Sequence, residues 1–108
     1  MSDAVRPLSP AAAAARSRAG DLLLVDVRPP RERALAAVPE PFATLEDGGL
    51  ERLLALPKDR PLAFLCHHGV RSALAAEYFR AHGFGEVCNV EGGIEAWALD
   101  VDAAVPRY

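Results

Sequence analysis

Four short apolar segments alternate along the chain with stretches in which apolar residues recur at helical spacing. Continuous apolar runs of this length are typical of strands that are covered on both faces, as in a parallel sheet. The strands that this pattern predicts are residues 22–27, 42–45, 61–66 and 86–90. Prolines, glycines and charged residues lie between these segments and mark the turns.

Five helices are predicted around these strands. Ser9 is suited to cap the first helix, Pro10 fits its first position, and Gly20 ends the alanine-rich run at residues 11–19. The other predicted helices cover residues 31–37, 49–56, 71–81 and 94–99.

This alternation predicts a three-layer α/β/α domain with a mostly parallel central sheet of four to five strands. The chain has 108 residues, enough for one domain with one core, which we place over residues 1–108. Residues 100–108 show no clear periodicity, so they are either loose or packed against the body of the domain. In such sheets ligands bind beyond the carboxyl ends of the strands.

The charge balance limits the partners that we expect. The net charge of −3 at pH 7 gives the chain no overall positive charge that would attract nucleic acid or an anionic membrane. Any anion-binding site therefore has to be local. The chain has two cysteines, no leader-like pattern at residues 1–10 and no apolar run of membrane-spanning length. We therefore expect a cytoplasmic protein, a monomer, with free thiols; the sequence leaves a disulfide open.

Cys66 is the main candidate for chemistry. It stands where a predicted strand ends and a predicted helix begins, so it meets the unpaired N–H groups and the positive dipole end of that helix, which favour the thiolate. Arg71 follows five residues later and can hold an anion close to the sulfur. A cysteine that only packs would more naturally lie within the apolar run. We predict a nucleophile that attacks an anionic substrate.

Cys88 has different surroundings. It lies inside a predicted strand with no cation nearby in the sequence, so we predict a buried structural thiol. The alternative is a thiol that resolves an adduct on Cys66.

The loop after Cys66 is expected to line the site, and its members are His67, His68, Gly69, Val70 and Ser72. Adjacent histidines are expected to point in different directions, and no Asp, Glu or Cys cluster completes a tetrahedral set, so we predict no metal. One histidine could instead tune the thiolate as a partial positive charge. Ser72 either offers its hydroxyl to the sulfur or only begins the helix.

Asp26, Arg28 and Glu32 lie at and after the end of the first predicted strand. They form either a polar wall of the site or an ion-paired structural corner, and the spacing of Arg28 and Glu32 favours pairing of those two. Gly92 would let the backbone pass close to the site. Trp97 lies beside the site or, as we favour, packs in the core.

Four segments together resemble the rhodanese-like sulfurtransferases in their small single-domain form. They are Leu24-Val25-Asp26-Val27-Arg28 with Glu32, Cys66-His67-His68-Gly69-Val70-Arg71-Ser72, Gly83-Phe84, and Asn89-Val90-Glu91-Gly92-Gly93-Ile94-Glu95-Ala96-Trp97. The resemblance implies that Cys66 takes a sulfane sulfur from an anionic donor such as thiosulfate and becomes a persulfide. The sulfur would then pass to a thiol, cyanide or a protein acceptor, without a metal or organic cofactor.

Two departures bear on this interpretation. Four residues separate Cys66 from Arg71, whereas the cysteine phosphatases and arsenate-reducing relatives of the fold carry five, so we rank those activities below sulfur transfer. Residues 36–41 lack the Gly-His-Ile-Pro-Gly-Ala-like segment that family members commonly carry, which affects one wall of the site. The alternative function is a non-catalytic rhodanese-like module that binds a partner or an anion; the intact Cys66 and Arg71 favour the enzyme.

Overall fold

The computed structural model describes residues 4–108 and contains a five-stranded sheet in which every pairing is parallel. The strands are β1 (Arg6–Leu8), β2 (Leu23–Asp26), β3 (Phe42–Ala43), β4 (Leu62–Leu65) and β5 (Val87–Val90), in the order β1-β5-β4-β2-β3. The helices are α1 (Pro10–Arg18), α2 (Pro30–Leu35), α3 (Gly49–Leu54), α4 (Val70–Ala81) and α5 (Gly93–Asp100). The predicted α/β fold is confirmed.

The middle strand, β4, divides the core into two halves. Its four residues are fully buried, and their side chains alternate between the two faces of the sheet. Ala63 and Leu65 belong to the cluster that α1 and α5 complete, and this cluster contains Trp97. Leu62 and Phe64 belong to the cluster on the side of α3 and α4. Helices therefore cover both faces of the strand that leads to Cys66.

The sequence analysis did not predict β1. This strand has three residues and pairs with β5, with Arg6 opposite Cys88 and Leu8 opposite Val90. Pro7 lies in its middle, which weakens the sequence pattern, but the position is tolerated because β1 is an edge strand and needs no second hydrogen-bonded neighbour.

All four predicted strands and two of the predicted helices, α2 and α3, are shorter in the structure than in the sequence pattern. β3 ends at Ala43 because it pairs with β2 through only two register positions, and α3 ends at Leu54. α2 begins at Pro30 and ends at Leu35, two residues before the predicted end. The longest helix, α4, has 12 residues, and no helix within residues 4–108 is long and apolar enough to cross a membrane.

The segment after α5, residues 101–108, packs against the body of the domain. Val105 is 4% exposed and belongs to the core cluster of α1 and α5. Arg107 forms an ion pair with Glu95 of α5 at 2.6 Å. These contacts lead the segment back to the carboxyl ends of the strands, where Tyr108 meets the loop that follows β4.

Candidate active site

Cys66 follows β4 directly, and its sulfur lies at the amino end of α4. Gly69 adopts a positive φ of 99°, a conformation that glycine permits, and forms the N-cap of the helix. The tight turn directs backbone N–H groups towards the sulfur: those of Gly69 and Ser72 lie 3.1 and 3.4 Å from Sγ. The amino end of a 12-residue helix adds its positive dipole. The predicted setting of Cys66 is therefore present in the structure.

The environment of Cys66 lowers the pKa of its thiol. Burial, the largest single effect, raises the pKa, because Cys66 is only 1% exposed and its charged form loses solvation. Hydrogen bonds from the hydroxyl and N–H of Ser72 and from the N–H groups of Gly69 and His68 act in the opposite direction. Together they outweigh burial, so the loop favours the thiolate.

Asn89 of β5 holds the loop at two points, and the sequence analysis missed this role. Its Oδ1 accepts a hydrogen bond from the Ser72 hydroxyl at 2.5 Å, and its Nδ2 donates to the carbonyl of Gly69 at 2.9 Å. The Ser72 Oγ also lies 3.2 Å from Sγ of Cys66. A hydroxyl has one proton, so Ser72 donates either to Asn89 or to the sulfur. The sequence signal that could have indicated this role is that Asn89 is a polar residue within an otherwise apolar strand.

The amino end of α5 supports the same loop from the other side. The N–H groups of Ile94 and Glu95 donate to the carbonyls of Cys66 and His67 at 2.8 and 3.2 Å. A Cβ at Gly93 would lie 2.4 Å from the His67 carbonyl oxygen, so only glycine allows this approach. Gly92, the residue predicted here, is the N-cap of α5 with φ 72°. Trp97 lies further along α5 in the core, fully buried.

Arg71 and Glu32 form a bidentate ion pair at the edge of the site. Nη1 and Nη2 of Arg71 donate to the two carboxylate oxygens of Glu32 at 2.8 and 2.9 Å. The hydrogen bonds from Arg71 and from the Tyr108 hydroxyl hold the pKa of the Glu32 carboxyl at about 2. Arg71 is the more exposed partner, with 45% of its side chain accessible against 16% for Glu32.

The predicted ion-paired corner is present, but the expected ion pair between Arg28 and the Glu32 carboxylate is wrong, because Arg28 reaches Glu32 only at its backbone carbonyl, at 3.4 Å. Arg28 instead pairs with Asp26, at 2.7 and 3.0 Å, and both side chains are completely buried. Arg28 also donates to the carbonyl of Ala36 at 2.8 Å. Asp26 is only two residues from Arg28, and its carboxylate binds the Arg28 guanidinium. The Glu32 carboxylate therefore remains available to Arg71.

Tyr108 joins this network, and the sequence analysis did not identify it. Its hydroxyl donates to Oε1 of Glu32 at 2.6 Å and accepts a hydrogen bond from Nη1 of Arg28 at 3.0 Å. Its ring stacks on His67 with centroids 3.9 Å apart and an angle of 13° between the planes. No local sequence pattern could have shown this, because the partners lie more than 40 positions away in the chain.

The expectation that His67 and His68 point apart is also wrong. Their rings stack at 3.9 Å with 23° between the planes, so Tyr108, His67 and His68 form one aromatic row along the loop. Within residues 4–108 no group of three or more His, Cys, Asp or Glu side chains is placed to hold a metal ion. Val70 opens α4 beside the row and is 73% exposed.

Cys88 is a free, buried thiol that lies away from this loop. Burial, the main cause, raises the pKa of its thiol. Cys88 is in register with Ala63, three residues before Cys66. Three residues of strand span about 10 Å, beyond the separation of about 7 Å at which two cysteines can still be bridged. A disulfide with Cys66 would therefore require the strands to move.

Known proteins with similar sequences place the chain in a family. The family model described as "Rhodanese-like domain" matches residues 9–100. A sulfurtransferase from Allochromatium vinosum is 40% identical over 78 residues, which are 72% of this chain and 73% of that protein. The thiosulfate sulfurtransferase GlpE of Vibrio cholerae is 35% identical over 74 residues, 68% of this chain and 70% of that protein.

A solved structure extends the comparison to three dimensions. The polysulfide-sulfur transferase homodimer from Wolinella succinogenes superimposes with a TM-score of 0.73 at 32% identity. The match covers 89% of this chain and 74% of that one.

Proposed function

Because this chain belongs to the rhodanese-like domain family, we propose that it is a sulfurtransferase that carries the transferred sulfur on Cys66 as a persulfide. The observation that supports this most is the pair of backbone N–H groups, those of Gly69 and Ser72, that point at Sγ of Cys66 from within 3.4 Å; the Ser72 hydroxyl adds a third donor when its proton turns from Asn89 to the sulfur. These donors favour negative charge on sulfur both before and after a sulfur atom is added.

The proposed cycle has two steps, and each conserves atoms and charge. The Cys66 thiolate attacks the outer sulfur of an anionic donor such as thiosulfate; a new S–S bond forms, the bond from that sulfur to the sulfonate breaks, and sulfite leaves with the electron pair. A nucleophilic acceptor, which can be a thiol, cyanide or a protein, then attacks the outer sulfur of the persulfide. Cleavage of the S–S bond returns the Cys66 thiolate.

Arg71 is proposed to orient the anionic donor. Its guanidinium lies beside the loop and has five N–H groups, of which Glu32 takes one on each terminal nitrogen. One N–H group on each of Nε, Nη1 and Nη2 remains available to the oxygens of a donor, while the end-on pair is held by Glu32. Asn89 and α5 keep the loop backbone in place while charge moves between the donor and the sulfur.

A non-catalytic binding module is the second candidate, and one observation favours it. Cys66 is only 1% exposed, so the sulfur lies beneath the loop rather than open to solvent. A module of this kind would bind its partner through the loop surface and leave the thiol unused.

Intact-protein mass spectrometry separates these two functions. The wild type, Cys66→Ser and Cys88→Ala are incubated with thiosulfate and, separately, with an organic persulfide, and then treated with a reducing thiol. The proposal expects a gain of one sulfur atom, reversed by the thiol, on the wild type and Cys88→Ala but not on Cys66→Ser. No gain on the wild type with either donor would favour the binding module.

A further inference from the structure

We propose that Tyr108 determines donor specificity, because it holds Glu32 on the paired Nη1 and Nη2 N–H groups of Arg71 and so withholds that pair from dianionic oxyanion donors. The favoured donor is then an organic persulfide, which carries at most one negative charge at its two sulfur atoms. This inference rests on the proposed sulfur transfer and names the class of donor that the same site prefers.

The end-on edge of the Arg71 guanidinium is already occupied. A carboxylate and a sulfonate can both bind the end-on pair of guanidinium N–H groups, those of Nη1 and Nη2, and Glu32 holds that pair at 2.8 and 2.9 Å. Within residues 4–108, Glu32 is the only residue that accepts hydrogen bonds from the Arg71 side chain. An oxyanion that binds this end-on pair therefore has to displace a tethered carboxylate, and without displacement it reaches only the N–H groups that Glu32 leaves free.

Tyr108 opposes this displacement. Its hydroxyl donates to Oε1 of Glu32 at 2.6 Å, so this oxygen accepts two hydrogen bonds, one from Arg71 and one from Tyr108. Arg28 donates to the same hydroxyl at 3.0 Å and fixes its oxygen. Burial and the bond to Glu32 raise the pKa of the Tyr108 hydroxyl, so it remains protonated and able to donate.

Three arginines around the loop are each paired with a carboxylate. The pairs are Arg28 with Asp26, Arg71 with Glu32, and Arg107 with Glu95. When Cys66 ionises, the added charge at the loop is negative. A dianion then approaches a thiolate with little compensating positive charge, whereas a donor of lower charge is repelled less.

Tyr108 is held in place by its own segment. Val105 is buried in the core and Arg107 pairs with Glu95, which brings the Tyr108 ring flat against His67. This segment lies beyond residue 100, the last residue that the family model matches. The contact is therefore contributed by a part of the chain outside the matched family domain.

The favoured reaction needs no additional reagent. The Cys66 thiolate attacks the outer sulfur of the persulfide R–S–SH, the S–S bond of the donor breaks, and the thiolate RS⁻ leaves with the electron pair. Cys66 then carries the S–SH group, so the number of protons and the total charge are unchanged.

The test compares Tyr108→Phe with the wild type in the full chain. The variant removes the hydroxyl and keeps the ring that stacks on His67, and Tyr78→Phe on the exposed face of α4 is the matched control. Steady-state kinetics are measured with thiosulfate and with the persulfide of 2-mercaptoethanol, a neutral thiol. We expect Tyr108→Phe to lower KM for thiosulfate about threefold to tenfold, the range for one lost hydrogen bond, without changing kcat.

With the persulfide, KM and kcat of Tyr108→Phe should match those of the wild type, and Tyr78→Phe should match with both donors. A KM for thiosulfate that stays the same or rises would overturn the inference. Equal changes with both donors would also overturn it, because they indicate a purely structural role. If Cys66 gains no sulfur from either donor in any of these proteins, the proposed function itself fails.

A second measurement does not depend on turnover. Alkylation of Cys66 by iodoacetamide is followed with increasing sulfate, a dianion that cannot donate sulfur. Sulfate should protect Cys66 at lower concentration in Tyr108→Phe than in the wild type. Equal protection in the two proteins would contradict the claim that Tyr108 withholds Arg71, whether or not the chain transfers sulfur.

Discussion

Cys66 and Cys88 lie in neighbouring parts of one sheet and are equally buried, each with 1% of its surface exposed, yet the pKa values of their thiols shift in opposite directions. Burial raises both. Only Cys66 stands beyond the end of its strand, where the N–H groups of Gly69 and Ser72 point at the sulfur. The position along the strand, and not the depth of burial, therefore separates a reactive thiol from a structural one.

The most direct way to sharpen this comparison is to remove each thiol in turn. Cys66→Ser should abolish sulfur transfer with little change in fold, because the loop backbone remains while the nucleophile is gone. Cys88→Ala is the matched control and should retain transfer. Rates of transfer and circular dichroism of both variants check this; full turnover by Cys66→Ser would refute the mechanism.

Replacement of Arg71 should have the next largest effect. Arg71→Ala should reduce kcat/KM for thiosulfate about tenfold to a hundredfold, the range for hydrogen bonds to a charged group, and that for a neutral organic polysulfide less. The variant also leaves the Glu32 carboxylate unpaired near the loop. The double variant Arg71→Ala, Glu32→Gln removes this charge and should recover part of the loss. Equal losses with both donors would indicate that Arg71 only shapes the loop.

A smaller effect is expected from the Ser72 hydroxyl. Its hydrogen bond lowers the pKa of the Cys66 thiol, so Ser72→Ala should move the pH midpoint of Cys66 alkylation upwards by about one unit. Cys88 should stay unreactive across the same pH range in the folded protein. Ser17→Ala on α1 serves as the control. An unchanged midpoint in Ser72→Ala would mean that the hydroxyl donates to Asn89 throughout.

The smallest effect concerns stability alone. Cys88→Ala removes one buried sulfur from the core cluster of α1 and α5 and should lower the free energy of unfolding by about 1 kcal/mol. Urea denaturation measures this value. A loss of sulfur transfer in a folded Cys88→Ala protein would contradict the assignment of Cys88 as a purely structural thiol.

The features of the fold that the sequence predicted are those with a local signal. Apolar runs were sufficient to predict β2, β4 and β5, and the capping residues Ser9 and Pro10 were sufficient to predict the start of α1. The contacts of the Cys66 Sγ follow from the position of this residue between a strand and a helix. β1 could not be predicted in the same way. It is three residues long and contains Pro7, and only its pairing with β5 makes it a strand.

The missed parts of the site depend on contacts between distant segments. Tyr108 meets Arg28 and Glu32, which lie 80 and 76 positions earlier in the chain, so no periodicity could indicate the contact. The partner of Arg28 was assigned wrongly because spacing alone favours Glu32, while the backbone turn after β2 brings Asp26 closer.

The register between β4 and β5 also bears on oxidative damage. With Cys88 opposite Ala63, a sulfenic acid formed on Cys66 has no second thiol of these 108 residues within bonding distance. A disulfide that protected it from a second, irreversible oxidation would have to form with a thiol from outside this fold. The geometry that keeps Cys88 out of the chemistry thus also leaves Cys66 without a resolving thiol within residues 4–108.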